Sequence, residues 1–272
     1  MAKSIELYGK LCIPDGQMRA LVIVVHGIGE HCGCYDSLSE KFVRQSVGLL
    51  VFDLRGHGHS PGLRGHTSIR LIHDDLREII QSMNKRFPDL PVVLFGHSMG
   101  GLIVLSYVIN KNVAVQGIIA SSPWLKLVRP PSSLLVRLAG WTSCVTPWIT
   151  VSTGIKASQL SQDGIVTKST KTDPLLHKKI SIGLFFDLWK NGKFILHNKH
   201  QLHIPLLVMH GTADPLTSYQ ASKTFAQNAE GNVIFKKWHG MRHDLLNDAG
   251  NEVVFQYVMK WLTKNVIENG TI

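Results

Sequence analysis

The sequence predicts a layered α/β fold around a parallel sheet, and three observations predict it. Short apolar runs recur at 21–25, 49–52, 92–95, 117–120, 206–209 and 233–235, rich in Val, Ile and Leu and without polar alternation. That is the pattern of strands covered on both faces. Helix-period segments separate several of them, as at 69–86 and 100–110, giving the strand–helix–strand order of α/β layers. Finally, 272 residues with 44% apolar and 18% charged content can bury a substantial core and exclude disorder, collagen-like repeats and coiled coil.

Taken in order, Met1 to Glu6 shows no apolar stretch of signal-peptide type, and charges interrupt every apolar run before it reaches membrane-spanning length. A cytoplasmic location follows as the expectation. The run 21–25 leads into His26-Gly27-Ile28-Gly29-Glu30-His31, where Gly27 and Gly29 allow a tight loop and Glu30 and His31 are suited to ordering it or to touching a polar headgroup. The run 49–52 leads into Asp53-Leu54-Arg55-Gly56-His57-Gly58-His59, a turn fixed by Asp53 and Arg55. One residue between His57 and His59, with no carboxylate cluster at ligand spacing, does not make a metal site. Cys12, Cys32, Cys34 and Cys144 read as reduced thiols, since Cys32 and Cys34 are too close in sequence for an ordinary disulfide.

The run 92–95 carries the strongest signal. It enters Gly96-His97-Ser98-Met99-Gly100 and then a helix-competent segment, which is the strand–turn–helix setting of a nucleophile elbow. A serine hydroxyl needs a base within hydrogen-bond reach and an acid to orient that base. After 206–209 comes Asp214, and after 233–235 comes His243, each in a loop past the carboxyl end of a strand, in the order this fold uses. Ser98, Asp214 and His243 are therefore the candidate triad. His239 abuts its strand and Asp244 adjoins the histidine in sequence, so both are weaker choices. An acyl-transfer site also needs donors for the oxyanion, and the backbone N–H groups of Met99 and Ile28 are the candidates.

From 124 to 196 no buried-strand run is visible, and Pro130, Pro131, Pro147 and Pro174 punctuate the stretch. It reads as a helical or irregular insertion on a core made of 1–123 and 197–272. Leu134, Leu135 and Leu138 with Trp141, Trp148, Phe185, Phe186 and Trp189 form an apolar stripe suited to packing within it or to lining an acyl tunnel. The chain closes with an amphipathic helix over 252–266.

The motifs together resemble the monoacylglycerol lipase and lysophospholipase branch of the α/β-hydrolases. The resemblance rests on His26 to His31 with Tyr35, Asp53 to Ser60, Gly96 to Gly101, Ser121-Ser122-Pro123, Gly211 to Asp214 and His243 to Asn247, in the family's order from about 20 to 250. It implies an eight-stranded, mostly parallel sheet, a cap over an acyl tunnel, a serine carboxylic-ester hydrolase, and neither metal nor organic cofactor. Cys34 stands where family members often carry Arg, and 124–196 offers little to match. A short-chain esterase or an amide hydrolase shares the same triad, and a non-catalytic receptor shares the fold. Dehalogenases and epoxide hydrolases need an acid where this chain has Ser98.

The net charge of +10 is uneven. Between 124 and 196 lie Lys126, Arg129, Arg137, Lys156, Lys168, Lys171, Lys178, Lys179, Lys190 and Lys193 against Asp163, Asp173 and Asp187, together with Trp124, Trp141, Trp148 and Trp189. Cations and Trp together suit a surface resting on anionic lipid. No stacking motif or helix-turn-helix pattern accompanies them, so nucleic acid is not the expected partner.

Overall fold

A computed structural model describes residues 6–110, 113–164 and 172–268. The strands of its main sheet are β1 (Gly9–Cys12), β2 (Ala20–Val25), β3 (Val47–Phe52), β4 (Val92–His97), β5 (Gly117–Ser121), β8 (Gln201–Gly211) and β9 (Glu230–Trp238). Their order is β1-β3-β2-β4-β5-β8-β9, parallel throughout except for β1 against β3. The helices α1 (Asp36–Arg44), α2 (Ile69–Arg86), α3 (Met99–Asn110), α6 (Ile182–His197), α7 (Tyr219–Asn228) and α8 (Asn251–Leu262) flank it.

The absence of alternation in the strands has its explanation in β2. Leu21, Ile23 and Val25 join one core cluster with Ile72 and Leu76 of α2 and Leu102 of α3. Ala20, Val22 and Val24 join the other, with Phe42 of α1 and Val254, Val258 and Trp261 of α8. Period 2 sends successive side chains to opposite faces, and helices cover both, so every position is apolar. All four cysteines are free.

The sheet has seven strands among the described residues, not the eight that the resemblance implies. Its amino-terminal edge is closed by β1 alone, and the residues after it, Ile13-Pro14-Asp15-Gly16, lie outside any strand before β2 begins. Pro14 lacks the N–H that a ladder needs, and Gly16 favours a turn. Pro205 sits inside β8, a central strand, where the register against β9 shifts between Leu202 and Leu206. A bulge is where a proline is tolerated in such a strand.

The insertion also begins and ends differently from the expectation. Between β5 and β8 the chain forms α4 (Ser133–Val145), a small antiparallel pair β6 (Thr150–Ser152) and β7 (Lys179–Ser181), the short α5 (Ala157–Leu160), and α6. Leu184, Leu188 and Ile195 of α6 are buried in the core cluster that holds α3. Parallel β5 and β8 need a crossover helix, and α6 supplies it, so the boundary placed at 196 moves back to about 181. Trp124 and Leu125 are buried in the same cluster. The apolar stripe of α4 contradicts the packing expectation more sharply: Leu134, Leu135, Leu138 and Trp141 are 63%, 58%, 50% and 79% exposed, and no residue of α4 is buried. Lys168 and Lys171 lie outside the described residues. Among those residues no helix is long and apolar enough to cross a membrane.

Candidate active site

Strand β4 ends in Gly96-His97, α3 begins at Met99, and Ser98 between them has φ +54°, a conformation that L residues rarely adopt. Neighbouring backbone enforces it. Ser98 N–H donates to Ser121 O at 2.9 Å, and Ser98 O accepts from Leu102 N at 3.2 Å and Trp124 N at 3.0 Å. A Cβ on Gly96 would stand 2.3 Å from Gly100 O, and one on Gly100 would stand 1.9 Å from Val25 O, so only glycine fits either position.

The three candidate triad residues meet here. Ser98 Oγ–H donates to His243 Nε2 at 2.8 Å, and His243 Nδ1–H donates to Asp214 Oδ2 at 2.7 Å. The loops carrying Asp214 and His243 are tied together by Ala213 N–H to Met241 O at 3.0 Å, an approach that leaves no room for a Cβ on Gly211. Asp214 Oδ1 accepts from the amides of Leu216 at 2.8 Å and Thr217 at 3.1 Å, while Oδ2 accepts from Thr217 Oγ1 at 2.7 Å. Ser122, itself at φ +45°, donates from Oγ to His243 O at 2.7 Å and so holds the histidine loop against β5.

The charges follow from this geometry. Burial alone would depress the His243 pKa, but the Asp214 charge and hydrogen bond overcome it and raise the imidazole above its ordinary value. Burial alone would raise the Asp214 carboxyl, whereas His243 and His210 hold it well below the usual carboxylate range. Of the weaker candidates, His239 is exposed at the end of β9. Asp244 accepts from Asn247 Nδ2 at 2.9 Å, and burial raises its pKa.

Met99 opens α3, so its N–H has no carbonyl one turn back. Neither its amide nor that of Ile28 donates to a backbone carbonyl among the described residues. The loop bearing Ile28 is braced on all sides. Glu30 Oε2 accepts from Gly27 N at 2.8 Å and Tyr35 Oη at 2.9 Å, and His26 bridges Gly27 O at 2.7 Å and Leu54 N at 3.0 Å. Gly29, at φ +77°, would place a Cβ 2.0 Å from His177 O, and His177 N–H donates to Gly29 O at 3.1 Å. The insertion therefore rests directly on this loop. Asp53 joins it to the next one, accepting from Cys32 N at 2.6 Å and His59 N at 2.7 Å. Arg55 is held by Asp75 at 2.8 Å. His57 and His59 diverge: the first ring lies 4.7 Å from His177 and the second 4.8 Å from Tyr8.

A cavity of about 420 Å³ opens between α6 and α7, lined by Trp124, Leu125, Leu188, Trp189 and Leu196 with Lys126 and Lys193 among its polar residues. Its wall begins at Trp124, whose amide is bonded to Ser98 O.

Three polar residues of the site escape the sequence reading. Thr217 reads as an ordinary loop residue and Ser222 as an ordinary helix residue. His210, at the end of β8, looks like one more of 14 histidines. The available signal is its place four residues before Asp214, at the end of an otherwise apolar strand.

Residues 16–250 match the family described as serine aminopeptidase, S33. An abhydrolase domain-containing protein of Dictyostelium discoideum is 31% identical over 94% of this chain, which spans only 27% of that longer protein. A monoacylglycerol lipase of Mycolicibacterium smegmatis is 30% identical, with 93% of this chain and 91% of the relative aligned. Among solved structures, the monoacylglycerol lipase of Paleococcus ferrophilus superposes with a TM-score of 0.88 at 30% identity, covering 96% of this chain and 100% of its own.

Proposed function

The chain belongs to the serine aminopeptidase S33 family of α/β-hydrolases, and on that premise we propose that it hydrolyses the carboxylic ester of single-chain acyl lipids through Ser98. The observation that carries the proposal is the unbroken line of hydrogen bonds from Ser98 Oγ through His243 to Asp214, on an elbow whose strained backbone aims the hydroxyl outward from the sheet.

In this reading Ser98 Oγ attacks the ester carbonyl as its proton passes to His243 Nε2. Asp214 keeps the imidazole in the Nδ1–H tautomer and stabilises the imidazolium. The amides of Met99 and Ile28 donate to the oxyanion. His243 then returns the proton to the departing alcohol, leaving an acyl-serine, and next activates a water that attacks the acyl carbon and regenerates Ser98. The cavity between α6 and α7 is within the usual size of a ligand pocket and has an apolar wall for the chain; it is lined by neither Ser98 nor His243 and meets the elbow through Trp124.

The insertion from about 126 to 181 acts as the cap. On α4, Leu134, Trp141 and Val145 are 63%, 79% and 73% exposed on the same helix as exposed Arg137. An apolar face with cations beside it is suited to the surface of an anionic membrane, where an acyl lipid is found. Monoacylglycerol and lysophospholipid are the substrates this arrangement favours.

Ser98→Ala tests the assignment. It abolishes both hydrolysis of a p-nitrophenyl ester and labelling by a fluorophosphonate, while retained labelling would put the nucleophile elsewhere. Because the same groups open amides, aminoacyl amides belong in the substrate comparison, and turnover of these in preference to esters would favour the aminopeptidase reading.

A further inference from the structure

Asp214 is met by two histidines. Besides His243, His210 Nε2 lies 2.9 Å from the same oxygen, Oδ2, and the side chains of His210 and Asp214 are 0% exposed. The other His210 nitrogen, Nδ1, is 2.8 Å from Oγ of Ser222 on α7, also fully buried.

The partners fix the protons. Nε2 faces the Asp214 carboxylate and, at 3.2 Å, the Thr217 carbonyl, both of which only accept, so Nε2 carries hydrogen. With hydrogen on Nε2, Nδ1 accepts, so the Ser222 hydroxyl donates to it. The carboxylate thus stands between two Ser–His pairs with the ring nitrogens exchanged: Ser98 with His243 reaches the cleft, and Ser222 with His210 is sealed in the core.

We propose that His210, oriented by Ser222, is a positioning residue that fixes the Asp214 carboxylate and sets how strongly His243 holds its proton. Oδ2 shares its negative charge among His243, His210 and Thr217 Oγ1. Each donor draws on the same lone pairs, so withdrawing the His210 hydrogen bond leaves more charge facing His243 Nδ1–H and makes the imidazolium more stable. His210 therefore moderates a pair that would otherwise hold the proton too tightly to return it to the leaving group. The remaining charged and titratable groups around His243 are His97 of β4, whose ring is 4.9 Å away, Glu30 of the loop after β2, and the adjacent Asp244. None of them contacts His210 in the hydrogen bonds of the site.

The inference rests on Ser98, His243 and Asp214 acting as a triad, and its test separates the two claims. His210→Asn keeps an amide where Nδ1 meets Ser222 and loses the donor to Asp214, whereas His210→Gln extends an amide to the Nε2 position. Imidazole NMR titration of His243 in the full chain needs no turnover. His210→Asn raises the His243 midpoint by about half a pH unit or more, and the acid limb of kcat/KM moves the same way, while His210→Gln titrates as the parent protein does. In the parent, nitrogen shifts place the His210 hydrogen on Nε2. Equal midpoints in the Asn and Gln variants, or an Nδ1–H tautomer in the parent, would overturn the proposal. Absence of ester turnover in the parent instead overturns the hydrolase reading and leaves the titration standing.

Discussion

Ser98 shows how much structure holds the proposed nucleophile in place. Its φ of +54° is unfavourable for any residue with a Cβ, and it persists because three backbone hydrogen bonds and two glycines allow nothing else. Burial of His243 alone would lower its pKa, and the charge and hydrogen bond of Asp214 outweigh it. In the proposed mechanism only neutral His243 accepts the Ser98 proton, and Asp214 raises the imidazole pKa, so activity falls as pH drops through a value above the ordinary histidine range of about 6.5. The acid limb of the kcat/KM profile measures this. Asp214→Asn removes the raising charge, moves that limb downward, and lowers kcat by about 10⁴ through the wrong tautomer. A limb left in place by Asp214→Asn would deny Asp214 its role.

Elements differ in how plainly the sequence announces them. The strand–elbow–helix at 92–110 is legible because its glycines, apolar run and helical period each have one structural explanation. The same holds for β2, whose unbroken apolar run demands cover on both faces. Helix α4 is not legible, since a helical apolar stripe looks alike whether it meets a core or solvent. Its exposure yields a sharp expectation. Replacing Leu134 and Trp141 by Ser changes unfolding free energy by no more than about 0.5 kcal/mol per site, because neither side chain packs in the fold. The same double variant loses most of its binding to anionic vesicles in a cosedimentation assay while hydrolysis of a soluble ester is unchanged. Undiminished vesicle binding would remove α4 from the membrane surface. Helix α6 misleads in the opposite direction: it follows a Pro-punctuated stretch in sequence, yet it is the crossover that parallel β5 and β8 require.

On the scale of the whole molecule, strands, loops and charge are arranged around one edge of the sheet. The loops after β2, β3, β4, β8 and β9 converge at the strands' carboxyl ends, where open α/β sheets hold their ligands. Order along the chain is readable because each candidate triad residue follows its own strand. The pairing of Asp214 with His210 was not readable, since it depends on β8 and α7 bringing His210 and Ser222 into contact. Part of the net charge of +10 lies between 126 and 181, where Lys126, Arg129, Arg137, Lys156, Lys178 and Lys179 are exposed in the same segment as the exposed apolar residues of α4. These features converge on a lipid ester as substrate. The most direct test is the rate of hydrolysis across a matched series of monoacylglycerols, lysophospholipids, short-chain esters and aminoacyl amides, each with Ser98→Ala as control. Single-chain acyl lipids should give the highest kcat/KM and lose all turnover in the variant; a preference for amides, or turnover that survives Ser98→Ala, would contradict it.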